Sequence, residues 1–345
     1  MTTATWLNSL RDIWAGLAAR YPWLRWVEKW GISAGSLVLG LLTLFIFRRG
    51  LEYFPWFVGY LILLWLAGVV LAEARQALAA RGGRVVWLAV NYAIQSMFHG
   101  LLLFLLPIYY ASTTLASRNV WFLIVLATAA LLTTIDPWYR AVLRRFRWVE
   151  IVLFGFGLFA SLNAAFPLLR VRSTWALLLS GIVSMLALAP VFRRGPDSSW
   201  RDALIRAGIW GAAVALVLWP LRGWIPPVPL HLTRATFTRS VVRLEPAEPV
   251  STVTVDELRT WGGIAAFTAV AAPAGLREPI YHVWWKNGAE VARIALSPIR
   301  GGRPGGFRTY SRKADLSQDP AGVWSVDVLT AHGQLIGRAR LVVTP

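Results

Sequence analysis

Between residues 30 and 221 the chain runs in long apolar blocks, broken by short joints that are basic or turn-rich. The blocks near 30–47, 54–72, 85–107, 119–135, 149–169, 174–192 and 204–221 each approach the 17–25 residues that cross a bilayer as a helix. They predict seven spans. Only RVRS separates the fifth block from the sixth, so these two are expected to form a tight helical hairpin. Arg206 intrudes near the start of the seventh, where its long side chain can reach the interface. Ahead of the blocks, Trp6, Leu10, Ile13, Trp14 and Leu17 fall at helical spacing, which predicts an amphipathic helix lying on a membrane surface. A partner-facing or unstructured N-terminus is the plainer alternative.

The period changes after WIPPVPL (224–230), a Pro-rich stretch that marks a domain boundary. Beyond it TFTRSVVRL, IAAFTAV, IYHVWW, EVARIAL, GVWSVDVL and LIGRARLVV alternate, and they are rich in β-branched and aromatic residues, which predicts strands. Lys286-Asn287-Gly288 lies between two of them, and Asn-Gly accepts the positive φ of a type I′ turn. His332-Gly333 is expected to turn the last hairpin in the same way. The fold class that follows is an α-helical polytopic membrane domain of about seven transmembrane helices, followed by an all-β immunoglobulin-like sandwich. The expected limits are a cytoplasmic amphipathic segment (1–29), a transmembrane helical domain (30–222), a Pro-rich linker (223–231) and a periplasmic β-sandwich (232–345).

Composition strengthens this picture. The chain is 57% hydrophobic with mean hydropathy +0.54, above the range of soluble domains. Several of the 20 tryptophans end apolar runs, a placement that suits indole rings at headgroup level. The net charge is +18, yet the basic residues gather in the short joints rather than on one face or tail. That distribution encodes membrane topology and argues against a nucleic-acid partner. Fifteen Lys and Arg fall on one side of the predicted spans and six on the other. The positive-inside rule then puts the N-terminus in the cytoplasm, and an odd number of spans exports everything after about residue 222. The expected location is a bacterial inner membrane with the C-terminal domain in the periplasm. The absence of cysteine excludes disulfides, thiolate metal sites and cysteine nucleophiles.

The spaced pattern His282-Val-Trp284, then Phe307-Arg308-Thr-Tyr310-Ser311, then Gly322-Val-Trp324-Ser-Val326, resembles the C-terminal domain of a family of bacterial membrane proteins. That family joins a multi-span N-terminal region to one exported β domain, and its function is unknown. The resemblance covers roughly the last 80 residues by motif and the whole chain by architecture. It implies the fold and topology and supplies no activity. The doubled Trp284-Trp285 departs from the pattern, since neighbours on a strand point to opposite faces.

Candidate chemistry is sparse. G-x-S-x-G, H-E-x-x-H and P-loop motifs are absent, and neither a cofactor nor a metal is expected. No acidic residue falls near the centre of a predicted span; Asp136 and Glu150 sit at span ends beside Arg140 and Arg147, where pairing is expected rather than proton relay. Within the third block Asn91, Gln95 and His99 stand four apart and share one helix face. Gln95 falls near the bilayer midplane, where an unpaired amide is costly, so the face is expected to meet helices or a ligand. Asn163, Ser180 and Ser184 are the expected partners. One reading is interhelical hydrogen-bond glue. The other is a polar cleft for a lipid headgroup, quinone or pigment, with His99 as donor or axial ligand. A bis-histidine haem is excluded, because no other predicted span contains a histidine.

In the β domain His282, Trp285, Arg308 and Tyr310 are a candidate patch for a sugar or peptide, set against a framework role for His282 and Tyr310. Loop 297–306, SPIRGGRPGG, is expected to be flexible and basic, docking on an acidic partner or lipid headgroups, or serving as a mobile hairpin tip. The function expected is that of a non-enzymatic integral membrane protein presenting a periplasmic sandwich to a protein or envelope component, as an accessory subunit of a larger membrane complex in one form. Its partners are the lipid bilayer and a protein in the membrane or periplasm. The alternative is a membrane-embedded enzyme or carrier acting on a lipid or lipid-linked sugar at the Asn91/Gln95/His99 face.

Overall fold

A computed structural model describes residues 20–21, 84–146, 148–193, 199–314 and 319–345. The predicted surface helix at 6–18 and the first two predicted spans lie outside the described residues. Eight α-helices occur among those described. They are α1 (Arg84–Ala111), α2 (Val120–Thr134), α3 (Asp136–Arg145), α4 (Trp148–Ala165), α5 (Ser173–Ala187), α6 (Ala189–Phe192), α7 (Trp200–Leu221) and α8 (Val255–Thr260). A 3-10 turn, Phe166–Leu169, prolongs α4.

The seven-span architecture is corrected by these lengths. Among the described residues two helices are long and apolar enough to cross a membrane, Trp148–Leu169 and Trp200–Trp224. The apolar helices Val120–Thr134 and Ser173–Ala187 are shorter. Fifteen helical residues rise only about 22 Å, against a hydrocarbon core of about 30 Å. The sixth predicted span is broken at Leu188, where the chain leaves helical geometry before Pro190 opens the short α6. A proline inside a continuous helix would lose a hydrogen bond and clash with the preceding turn.

The helices pack in the order α2, α1, α4, α5, α7. On α7, Ala203, Ala207 and Gly211 are spaced four apart and are its buried residues. A Cβ on Gly211 would meet the backbone of Ile182 on α5 at 3.2 Å, so the two helices touch backbone to backbone there. A core of Leu101, Leu102, Leu105 and Tyr109 on α1, Leu126 and Ala130 on α2, and Ala160 and Ala164 on α4 holds the other end of the row.

The C-terminal region is built of strands β1 (His231–Thr238), β2 (Val241–Val242), β3 (Glu245–Pro246), β4 (Pro249–Val250), β5 (Thr252–Thr254), β6 (Ile264–Ala271) and β7 (Arg277–Glu278). These are followed by β8 (Ile280–Lys286), β9 (Ala289–Ala295), β10 (Ile299–Arg300), β11 (Phe307–Lys313), β12 (Gly322–Thr330) and β13 (Leu335–Thr344). Two large sheets result, one ordered β11-β6-β1-β4 and the other β5-β13-β12-β8-β9, beside the two-stranded pairs β10-β7 and β2-β3. They face each other across a shared core: Phe237, Ile264 and Ala266 from the first meet Trp284, Trp324, Val326, Ala339 and Leu341 from the second. Phe237 and Trp284 pack edge to face at 5.7 Å. The pairing is mixed, because β5 runs parallel to β13 while the other strands of the two large sheets pair antiparallel.

The Asn287-Gly288 turn forms as expected, with φ of 48° and 85°. The last hairpin does not copy it. Gly333 alone takes positive φ there, and the turn widens so that Thr330 N–H donates to the Gln334 carbonyl. Loop 297–306 is also corrected. Ile299 and Arg300 pair with Glu278 and Arg277, and the Gly301 and Gly302 amides donate to the Leu276 and Ala272 carbonyls. At Gly301 a side chain would collide with the Pro273 carbonyl, so the glycines there serve close packing, not looseness.

Candidate functional site

Three joints, at 112–119, 170–172 and 222–230, bring helix ends against the sandwich, and polar side chains fasten each. The amide and hydroxyl of Ser173, at the start of α5, both donate to the Glu278 carboxylate, at 2.9 and 3.2 Å. Arg172 at the N-cap supplies no capping side chain, so the carboxylate from β7 satisfies the helix terminus and faces its positive dipole end. Glu278 is 1% exposed. Burial pushes its carboxyl above the ordinary value, against the two Ser173 hydrogen bonds and the charge of Arg172. The Thr174 hydroxyl donates to Gln334 Oε1 at 3.3 Å, and Asn119 Nδ2 donates to the Leu335 carbonyl at 3.3 Å. Arg222, stacked 4.7 Å over Trp219, donates through Nε to the His332 carbonyl at 2.6 Å.

The Pro-rich linker is buried between the two regions. Ile225 packs with Phe159 and Leu177, Val228 enters the α1–α2–α4 core, and Leu230 joins the sandwich core.

The predicted polar stripe is only partly placed. Asn91 and Gln95 lie on α1, with side chains outside the described residues. His99 is buried, and its Nδ1 meets Thr134 Oγ1 on α2 at 2.8 Å. The Thr134 hydroxyl donates to the Ala130 carbonyl at 2.7 Å, so the ring N–H donates to Thr134. The expected partners lie elsewhere. Ser180 and Ser184 donate back into their own helix, to Ala176 and Gly181. Asn163 donates to the Tyr109 hydroxyl at 3.1 Å, which in turn donates to the Ala160 carbonyl at 3.0 Å. Tyr109 was missed as a polar partner, and its place in the apolar run LLPIYY hides it.

The predicted patch of His282, Trp285, Arg308 and Tyr310 is not brought together. His282 lies between the sheets, bonded to Thr268 through Nε2 at 2.9 Å and to Ser311 through Nδ1 at 2.8 Å. The Ser311 hydroxyl also accepts from the Trp284 indole at 3.0 Å. Burial pulls the imidazole down to about 4, so the ring is neutral, with one nitrogen donating and the other accepting. This is the framework role. Trp285 is half-buried on the outer face of the five-stranded sheet, opposite Ser325 and Glu290. Arg308 and Tyr310 remain neighbours on the outer face of the four-stranded sheet.

On that outer face the side chains form rows. Arg308, Ala269 and Arg234 lie across β11, β6 and β1, and Tyr310, Phe267 and Thr236 form the next row. The β2–β3 hairpin sets Glu245 above them. Its Oε2 lies 3.2 Å from Arg234, and its Oε1 is in close contact with Arg308. Arg234 also lies 5.9 Å over the Phe267 ring, which is 1% exposed although it belongs to an outer face.

Residues 277–343 match the family described as Protein of unknown function (DUF2914), and residues 5–265 match the Family of unknown function (DUF5924). The second boundary falls inside β6, so the two matched regions part within the sandwich and not at the linker. No curated protein and no solved structure matches the chain. Since the longer match spans well over half of the residues, the chain belongs to the DUF5924 family of unknown function.

Proposed function

We propose that this protein is anchored in a bilayer by Trp148–Leu169 and Trp200–Trp224, and that it holds its β sandwich in a fixed pose to bind a partner. One observation carries the anchoring: apolar helix surface that the described chain leaves bare. Leu204, Ile205, Ile209, Trp210, Leu216 and Val217 of α7 are all exposed. At about 1.5–3 kcal/mol for each such side chain, leaving six in water forgoes on the order of 10 kcal/mol. Trp200 and Trp219 bound this surface about 28 Å apart along the helix, close to the thickness of a hydrocarbon core. The fixed pose is supported by the Glu278–Ser173, Gln334–Thr174 and Asn119–Leu335 hydrogen bonds and by the buried linker.

The test is fractionation of the expressed full chain. The protein is expected in the membrane pellet after alkaline carbonate washing and to need detergent for release. Ile209→Asp, costing about 3 kcal/mol near a helix centre, should lower the pelleted fraction. Release of the unaltered protein by carbonate alone would overturn the anchoring.

A further inference from the structure

The positive charge of the β domain is unevenly placed. Among the described residues, Arg234, Arg239, Arg243, Arg303, Arg308, Arg312 and Lys313 lie on or around the four-stranded sheet, against Glu245 and Glu248. Within this cluster Arg234 and Arg308 rise on either side of Ala269, about 10 Å apart at the usual strand spacing. Both are exposed, at 49% and 42%, and both are turned to one carboxylate, that of Glu245.

The segment that delivers this carboxylate is lightly held. Each strand of its hairpin pairs only two residues. Its turn puts Arg243 and Leu244 at φ of 51° and 58°, a left-handed pair that Asn-Gly would adopt at little cost. Val242 and Leu244 beside it stay exposed. Exposed ion pairs contribute little to stability, so exchanging Glu245 for another carboxylate costs little. Guanidinium forks match carboxylates in plane and charge, which makes the pair a ready anion site.

The neighbouring row gives the ligand's character. Tyr310 is 45% exposed, one row from Arg308, with the Thr236 hydroxyl across the sheet. A flat phenol beside two guanidinium groups suits a sugar ring that carries a carboxylate, the ring lying against Tyr310. An acidic peptide offers the charge but no ring.

We propose that Arg234 and Arg308 form a carboxylate site for an anionic sugar polymer, and that Glu245 is its built-in occupant until such a polymer displaces it. The site rests on the reading of the sandwich as a binding domain. It is tested apart from anchoring, because the assay uses the full chain in detergent micelles, where insertion into a bilayer is not read.

The assay titrates polygalacturonate, polyglutamate and neutral dextran onto the wild type and onto Glu245→Gln, Arg234→Gln and Arg308→Gln. Thermal melts confirm that each variant is folded. Glu245→Gln is expected to bind polygalacturonate about fivefold more tightly than the wild type, with either arginine variant losing most binding. Added salt should weaken every positive result. Equal binding by the wild type and Glu245→Gln would remove Glu245 as occupant. Polyglutamate binding as tightly as polygalacturonate would overturn the sugar assignment, and dextran binding as well as either would overturn the charge.

Discussion

His282 shows how a single side chain is turned from candidate ligand into framework. It stands on β8 with its ring in the gap between sheets, where Thr268 and Ser311 take both nitrogens. Its proton affinity is pulled down to about 4, while the unfolded chain keeps a value near 6.5. The unfolded state therefore gains protons first as pH falls. Stability is fully present above pH 6.5 and is lost progressively down to pH 4, by on the order of 3 kcal/mol. Thermal melts across that range should show this acid limb, and His282→Gln should flatten it; an unchanged limb would place the titration elsewhere. The motif held His282, Trp284 and Ser311 together in sequence, and period-2 reasoning puts all three on inward positions. Arg308 and Tyr310 are kept apart from His282 by the same alternation. They occupy outward positions of β11, alternating with Thr309 and Ser311.

At the scale of elements, strand periodicity was legible and helix length was not. Six predicted strand runs overlap β1, β6, β8, β9, β12 and β13. The edge strand β11 shows no strand-like apolar alternation in the sequence, because its Arg and Lys dilute the signal. Apolar blocks 85–107, 119–135, 149–169, 174–192 and 204–221 did locate helices. Their ends were set by turns such as Leu188–Pro190, which hydropathy alone does not register. Close contact between α5 and α7 makes a sharp prediction from two glycines of one helix. Gly211→Leu must displace Ile182 backbone and should destabilise by about 1–3 kcal/mol. Among the described residues Gly208 meets nothing within 4 Å, so Gly208→Ala should be neutral or stabilising by up to about 1 kcal/mol. Melting of both variants in detergent checks the contrast, and equal effects would contradict the packing.

At the scale of the molecule, the two matched regions share one sandwich. The DUF5924 match supplies β1 to β5, the DUF2914 match supplies β7 to β13, and β6 holds the join. Phe237 and Ile264 on one side of the join pack against Trp284 and Trp324 on the other. A chain cut in the loop at 272–276 should therefore give halves that fold only together: co-expressed fragments should co-purify and melt as one, whereas the C-terminal piece alone should not melt cooperatively. A cooperative melt of that piece by itself would make it an independent domain. The sequence signalled a boundary at 224–230, where composition changes, but could not show that Ile225, Val228 and Leu230 are buried on arrival.

That burial bears on mechanics. A tether of exposed prolines would let the sandwich swing, and a tug on it would be absorbed as slack. Here the starts of α2 and α5, the end of α7 and the strand that follows it are all gripped at one level. The Asn287 tip lies one full strand of β8 away from that grip. A force applied at the tip acts on a lever, and it arrives at the helices as torque.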